Sequence, residues 1–304
     1  MYKNQTSPQK RTIQSFLFCL IVLSSCESEQ GEDPIPNASN ELSIQKIILT
    51  LKSTDQPGKL LAEKDDLEDY LSEKLKRLVE ITILADPTDL PESFRLGKVD
   101  LAYLSPRDAV PILEQNSASA FLARLAGDKP DKSVWLCRKE KDYADISKVK
   151  GKAVAFANRT SDPGYLIPIW DLSKRNLIGT DRALTDFFSQ VIYGNDDDSV
   201  VKKVLNGEVE AAAVGDYALK SLSEKQKSQL RILQEQGPVP TDVLCIRSSI
   251  SASDRAIIEK ALLSINTENP GLGRRAFNGK LALADKGHLS ATREALQASK
   301  SIKP

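Results

Sequence analysis

From residue 43 onward, short apolar runs alternate with longer stretches whose apolar positions recur at helical spacing. The run 44–51 (IQKIILTL) predicts a first strand, and Pro57 with Gly58 opens a helix that runs to about residue 78. Further strands are expected at 81–84, 101–104, 120–126, 134–137, 153–156, 191–193, 211–214, 230–233 and 243–246, with helices between most of them. This alternation predicts an α/β fold whose sheets are covered on both faces. Its ligand sites should lie at the C-terminal ends of strands.

Two of the strands share a local pattern, SVWLCR at 133–138 and TDVLCIR at 241–247, and each follows a proline-containing loop. They mark two chain crossings between lobes. On this reading 43–130 and 247–304 form one lobe, 139–240 form the other, and 131–138 and 241–246 are hinge strands. A chain that leaves a domain, builds a second and returns makes a hinged clam whose cleft is lined from both sides.

The N-terminus carries a different pattern. Lys3, Lys10 and Arg11 precede an apolar run from Phe16 to Leu23, which ends in Leu23-Ser24-Ser25-Cys26. The run is shorter than the about 20 residues that span a bilayer, so 1–25 reads as a signal peptide. Small residues directly before a cysteine resemble a lipobox, with Cys26 as the lipidated first residue of the mature chain. The following stretch ESEQGEDPIPNASN is acidic and lacks apolar periodicity, so 26–42 is expected to be a flexible tether with a reach of roughly 20 Å. This predicts a location in the cell envelope, lipid-anchored on the outer side of the cytoplasmic membrane or in the periplasm.

The chain has 304 residues, 42 basic and 42 acidic. Loss of the three basic residues in 1–25 leaves 39 against 42, a net charge of about −3. That balance argues against a nucleic-acid partner. After Cys19 leaves with the signal and Cys26 is acylated, Cys137 and Cys245 remain; metal-ligand spacings are absent, and no cofactor is expected. The single histidine, His288, falls on an apparently amphipathic helix and reads as a surface or core residue. If the two hinge strands pair antiparallel, Cys137 and Cys245 come close together. Two outcomes are open there: a disulfide restricting lobe movement, or two buried free thiols.

Three segments place chemistry at strand ends. GKVDLAYLSP at 97–106 and GEVEAAAVGD at 207–216 share a helix-ending glycine, a valine, an acidic residue and a short apolar strand that delivers polar residues. They are either one ligand-binding segment per lobe or two ordinary αβ units with glycine C-caps. After strand 153–156 comes NRTSDPGYLIP at 158–168, where hydroxyls and a helix start coincide. Free N–H groups of that first turn, with Thr160 and Ser161, form an anion-binding cup; the plainer reading is a helix cap by Ser161 or Asp162.

Taken together, VDLAYLSP at 99–106, TSDPGYLIP at 160–168, YGNDDDSVVKKVLNGEVEAAAV at 193–214 and VPTDVLCIRSSI at 239–250 resemble the phosphate/phosphite/phosphonate solute-binding proteins of ABC importers, the PhnD-like branch of the type II periplasmic binding fold. The resemblance spans about 44–265. It implies a two-lobe receptor, expected as a monomer, that is not an enzyme and that passes a small oxyanion to an ABC permease. The family's oxyanion-cradling turn corresponds to Thr160, Ser161, Gly164 and Tyr165, and its first-lobe tyrosine to Tyr103, with Ser105 close by.

Departures from the family pattern are specific. Asp162-Pro163 is inserted into the cradling turn, and GNDDD at 194–198 stands where some members carry a histidine. Asp196 and its neighbours either repel a dianion or cap the helix that starts near Ser199. Asp216 follows Gly215, which holds the place of the family's acidic residue. An orphan or sensory receptor with an altered pocket, partnering a membrane signalling protein, is therefore the alternative. Asp196 with Asp216 is the one acid/base pair available to an enzyme on this fold.

Overall fold

The computed structural model describes residues 41–52, 57–84, 86–125, 130–179 and 181–302, with side chains of the first helix described from Glu63 onward. The signal segment, Cys26 and the tether as far as residue 40 lie outside the described residues. In the first sheet and its helices the order begins β1 (Lys46–Lys52), α1 (Pro57–Leu75), β2 (Leu78–Leu84), α2 (Leu90–Arg95), β3 (Leu101–Leu104), α3 (Pro106–Glu114) and β4 (Ala118–Arg124). The chain then crosses to β5 (Ser133–Arg138), β6 (Ala153–Phe156), α4 (Ile167–Lys174), β7 (Gln190–Tyr193), α5 (Asp197–Leu205), β8 (Ala211–Gly215), α6 (Glu224–Gln229) and β9 (Leu230–Gln236). It returns through β10 (Val243–Arg247), α7 (Ala252–Glu268), α8 (Pro270–Phe277), β11 (Leu281–Leu283) and α9 (Ser290–Lys300).

Two sheets result, ordered β11-β4-β10-β3-β1-β2 and β7-β6-β8-β5-β9. In each, a parallel set receives one antiparallel strand where the chain enters from the other lobe: β10 between β3 and β4, and β5 between β8 and β9. The parallel strands are buried on both faces, so β3 reads Leu-Ala-Tyr-Leu and β8 Ala-Ala-Ala-Val-Gly with no polar alternation. Small β8 side chains let α5 pack closely through Val200, Val201 and Val204, while Trp135, Phe156 and Phe188 fill the opposite face.

The two crossings behave differently from simple hinge strands. β5 and β10 join separate sheets and do not pair with each other, so Cys137 lies opposite Ala211 and Cys245 opposite Ala102. Both cysteines are buried free thiols. The chain passes between sheets in the segments just before these strands. Helix α9, grouped with the first lobe by sequence, packs on α4 of the second sheet and on α3 of the first. There Ala295 meets Leu166, Ile167 and Val239 in a small apolar cluster at the second crossing.

His288 stands two residues before α9 rather than on it, and its Nε2 lies 2.8 Å from the Thr241 carbonyl, tying the C-terminal segment to the second crossing. The strand β11 is absent from the expected elements because three residues carry no readable alternation. Among the described residues no helix is long and apolar enough to cross a membrane.

Candidate functional site

The segment after the C-terminal end of β3 meets the segment after the C-terminal end of β6, where Arg107 of α3 contacts Asp162. Tyr103 is the third residue of β3, and its ring packs edge-on against Phe277 at 5.3 Å. Its hydroxyl donates to the Phe277 carbonyl at 2.7 Å and lies 3.3 Å from Asp242 Oδ2. Burial, with the Asp242 charge beside it, pushes the phenol well above its usual range. Tyr103 thus forms the floor of the first lobe's edge with its hydroxyl already engaged. Ser105 is the N-cap of α3, accepting from the Asp108 N–H at 3.3 Å and donating to Asp108 Oδ2 at 2.7 Å.

In the second lobe the cradling turn closes on itself. Thr160 donates its backbone N–H and its hydroxyl to Asn158 Oδ1, both at 2.9 Å, and Ser161 Oγ accepts from the Gly164 N–H at 3.0 Å. A π-helical turn, Asp162–Leu166, leads directly into α4. Gly164 is required by contact: a Cβ there would stand 2.4 Å from Ala157 Cβ and 2.9 Å from Ser161 Oγ. Tyr165 turns inward, edge-on to Phe156 at 5.6 Å and to Tyr193 at 5.9 Å, and the Arg159 guanidinium lies 4.2 Å over the Tyr193 ring.

The aspartates divide by role. Asp196 is exposed and caps α5, accepting from the Ser199 N–H at 2.7 Å. Asp216 accepts from the Lys132 N–H at 3.1 Å and so holds the entry to β5. Asp197 was not singled out by its sequence context, yet it accepts from the Gly215 N–H at 3.1 Å and from Tyr217 at 2.7 Å, beside Gly164. Burial raises its carboxyl pKa, with hydrogen bonds from Tyr217 and Gly215 opposing. Asp196 and Asp216 thus serve separate structural bonds and are not placed as an acid/base pair.

Two further residues not legible in the sequence, Arg107 and Asp242, form ion pairs at these strand ends. Arg107, one residue past VDLAYLSP, reaches across from α3 and donates Nε to Asp162 Oδ1 at 3.1 Å. The inserted aspartate therefore meets a cation of the opposite lobe. Its side chain is only 10% exposed, and burial raises its pKa while Arg107 lowers it and Asp108 and Asp242 oppose Arg107. Arg107 Nη2 is buried with no hydrogen-bond partner among the described residues. Asp242, at the mouth of β10, accepts Lys52 Nζ at 2.6 Å. Arg124 pairs with Asp131 at 3.0 Å, so three cations at this edge already have carboxylate partners.

A cavity of about 600 Å³ opens on another side of the crossings, lined by Arg124, Trp170, Pro238, Thr241 and His288 among others, and none of the expected ligand residues borders it. Among the described residues no group of three or more His, Cys, Asp or Glu side chains is placed to hold a metal ion.

Comparison with known proteins accords with this architecture. The fold is similar to that of XAC2383 from Xanthomonas citri, solved bound to chloride ion, with a TM-score of 0.67 at 19% identity over 84% of this chain and 99% of that one. It is also similar to PhnD1 from Prochlorococcus marinus in complex with methylphosphonate, with a TM-score of 0.58 at 17% identity over 85% of this chain and 99% of that one. A binding protein component of an ABC phosphonate transporter from Pseudomonas aeruginosa gives a TM-score of 0.57 at 17% identity, covering 84% of this chain and 87% of that one. At these identities the likeness is one of fold, the two-lobe type II periplasmic binding fold. The family described as "ABC transporter, phosphonate, periplasmic substrate-binding protein" matches residues 49–290, and the chain belongs to that family, whose role is to bind a solute and not to catalyse.

Proposed function

We propose that the protein captures a small oxyanion of the phosphate, phosphite or phosphonate class in the cleft between its lobes and presents it to an ABC permease. The observation that carries this reading is Arg107, a first-lobe guanidinium that reaches the second lobe's Ser161–Gly164 turn and keeps its buried Nη2 without a hydrogen-bond partner among the described residues. An unsatisfied buried donor of this kind costs free energy until an acceptor arrives, and a ligand oxygen supplies one. Closure of the lobes then excludes water and strengthens each bond to the ligand.

Lipid attachment at Cys26 completes the reading. A leash of roughly 20 Å keeps the receptor beside its membrane partner and raises the effective concentration toward the millimolar range. Calorimetric titration with phosphate, phosphite, methylphosphonate and 2-aminoethylphosphonate tests the ligand class, and absence of heat with all four at millimolar concentration removes it. Mass spectrometry of the N-terminal peptide from a membrane fraction tests the anchor: a diacylglyceryl thioether on Cys26 is expected, and a Cys26→Ala variant should leave the membrane.

A second reading, an altered receptor that reports to a membrane signalling protein, is favoured by the internal pairing of Lys52, Arg107 and Arg124. Co-purification with a permease separates the two.

A further inference from the structure

We infer that the cavity of about 600 Å³ beside the crossings is a second binding site, one that takes a small molecule with an apolar body and a carboxylate head. The inference goes beyond the oxyanion reading and does not rest on it, since none of the residues expected to bind the oxyanion borders this cavity.

The volume lies within the range of small-molecule sites. The wall is assembled from α4 of the second sheet, the ends of β4 and β11 of the first, the second crossing and the start of α9. Much of it is apolar: Trp170 on α4, Pro238, Val239 and Pro240 in the crossing, and Leu125 and Leu283 at the strand ends. Leu125 is 48% exposed and Leu283 62%, so apolar surface in this wall stays in contact with water until a molecule covers it.

The polar groups of the wall divide by whether they are already engaged. Arg124 is held by Asp131 at 3.0 Å, His288 by the Thr241 carbonyl at 2.8 Å, and Asp285 accepts from the Gly287 N–H at 2.7 Å. Lys174 stands apart from these. Its Nζ lies 4.3 Å over the Trp170 ring, the nearby Asp171 is taken by Arg175 at 3.0 Å, and no carboxylate among the described residues pairs with it. The first turn of α9 also borders the cavity through Ser290 and Ala291, and its N-cap is Leu289, whose side chain cannot accept an N–H. An ammonium and an uncapped helix start both favour an anion. Glu294, the remaining carboxylate of the wall, is exposed one turn further along α9, where water and salt screen it. A single free ammonium beside an apolar wall matches a single negative charge on an apolar body, which selects a monocarboxylate.

The test is titration of the purified protein with octanoate, 1-octanol and acetate, followed by tryptophan emission and by calorimetry. Trp135, the other tryptophan of the chain, is fully buried in the second sheet's core, so a change in emission reads Trp170. Octanoate should bind saturably, and 1-octanol, with the same body and no charge, at least about tenfold more weakly, the scale of one hydrogen bond to a charged group. Acetate, a head without a body, should not bind in the same range. Lys174→Glu should weaken octanoate by at least about tenfold and leave 1-octanol unchanged. Ala291→Phe fills the space from a half-buried position and should abolish binding of both, with circular dichroism confirming that each variant is folded. No saturable binding of octanoate to the wild type, equal binding of 1-octanol, or wild-type binding by either folded variant overturns the inference. Each of those outcomes leaves the oxyanion reading standing.

Discussion

Arg247, the last residue of β10, donates both Nε and Nη2 to Asp100 Oδ1, at 3.1 and 2.7 Å, while Asp100 Oδ2 accepts from the Ile48 N–H at 2.9 Å. The pair ties three adjacent strands at the end of the sheet away from the cleft. The second lobe has a looser counterpart, in which Arg138 at the end of β5 lies 3.8 Å from Glu210 while Glu210 accepts from Tyr143 at 2.8 Å and from Lys141 at 3.2 Å. Both arginines pass over a helix-ending glycine in the left-handed region, Gly97 at φ +67° and Gly207 at φ +75°. The acidic residues of the paired sequence segments are therefore girders of the sheets, and the residues expected to meet a ligand stand toward the opposite strand ends.

Asp100 has only 4% side-chain exposure, so Asp100→Ala should cost about 3–5 kcal/mol by stranding the Arg247 charge. Glu210 is 23% exposed, and Glu210→Ala should cost about 1 kcal/mol because water replaces it more readily beside Arg138, Lys141 and Tyr143. Urea denaturation followed by circular dichroism measures both, and equal losses would contradict the assignment of the first pair as the buried one.

Gly164→Ala puts a methyl group 2.4 Å from Ala157 Cβ, a clash between backbone-anchored atoms that no rotamer relieves. The turn must shift, at a cost of about 1–3 kcal/mol. Phosphate affinity should fall with it, because the Ser161–Gly164 bond and the aim of Asp162 move together. Thermal melting with and without phosphate reads both effects, and a neutral substitution would show that the turn is looser than its packing implies.

Cys137 and Cys245 should resist thiol reagents in the native protein and label fully in denaturant, as peptide mapping would show. Burial pushes the Cys245 thiol up to about 12 from its ordinary 9.0. A raised thiol pKa favours the neutral form in the folded state, so it leaves stability unchanged below pH 9. As pH rises further the unfolded chain releases the proton first, and stability falls through the window toward 12. Cys245→Ala should flatten that alkaline slope.

Ala295→Asp places a carboxylate among Leu166, Ile167 and Val239, and a loss of more than about 3 kcal/mol is expected. His288→Ala removes the bond to the Thr241 carbonyl, which contributes about 0.5–1.5 kcal/mol, and a longer contact with the Thr241 hydroxyl at 3.5 Å. Thermal melts should rank them in that order, and a silent Ala295→Asp would mean that α9 does not hold the second crossing.

The strand ends carrying Tyr103, Ser105 and Thr160 were legible because apolar runs bounded by polar residues locate a buried strand, and β3 and β6 occupy the expected spans 101–104 and 153–156. The hydrogen bonds at those ends were not. Tyr103 is spent on Phe277, 174 positions away, and a local pattern holds no record of such a partner. Arg107 is not legible because a lone arginine after Ser-Pro looks like a solvated first-turn residue until the opposite lobe is in place.

By itself, the sequence determined the α/β class, two chain crossings, family membership and the positions at which strands hand over to loops, since these follow from local periodicity and contiguous motifs. Only the tertiary structure decided which charges meet. It paired Arg107 with Asp162 over 55 positions and left the guanidinium Nη2 buried without a hydrogen-bond partner among the described residues. It also put Cys137 and Cys245 into separate sheets. Such outcomes depend on how two sheets face each other across a cleft, a long-range arrangement that no single stretch of the chain encodes.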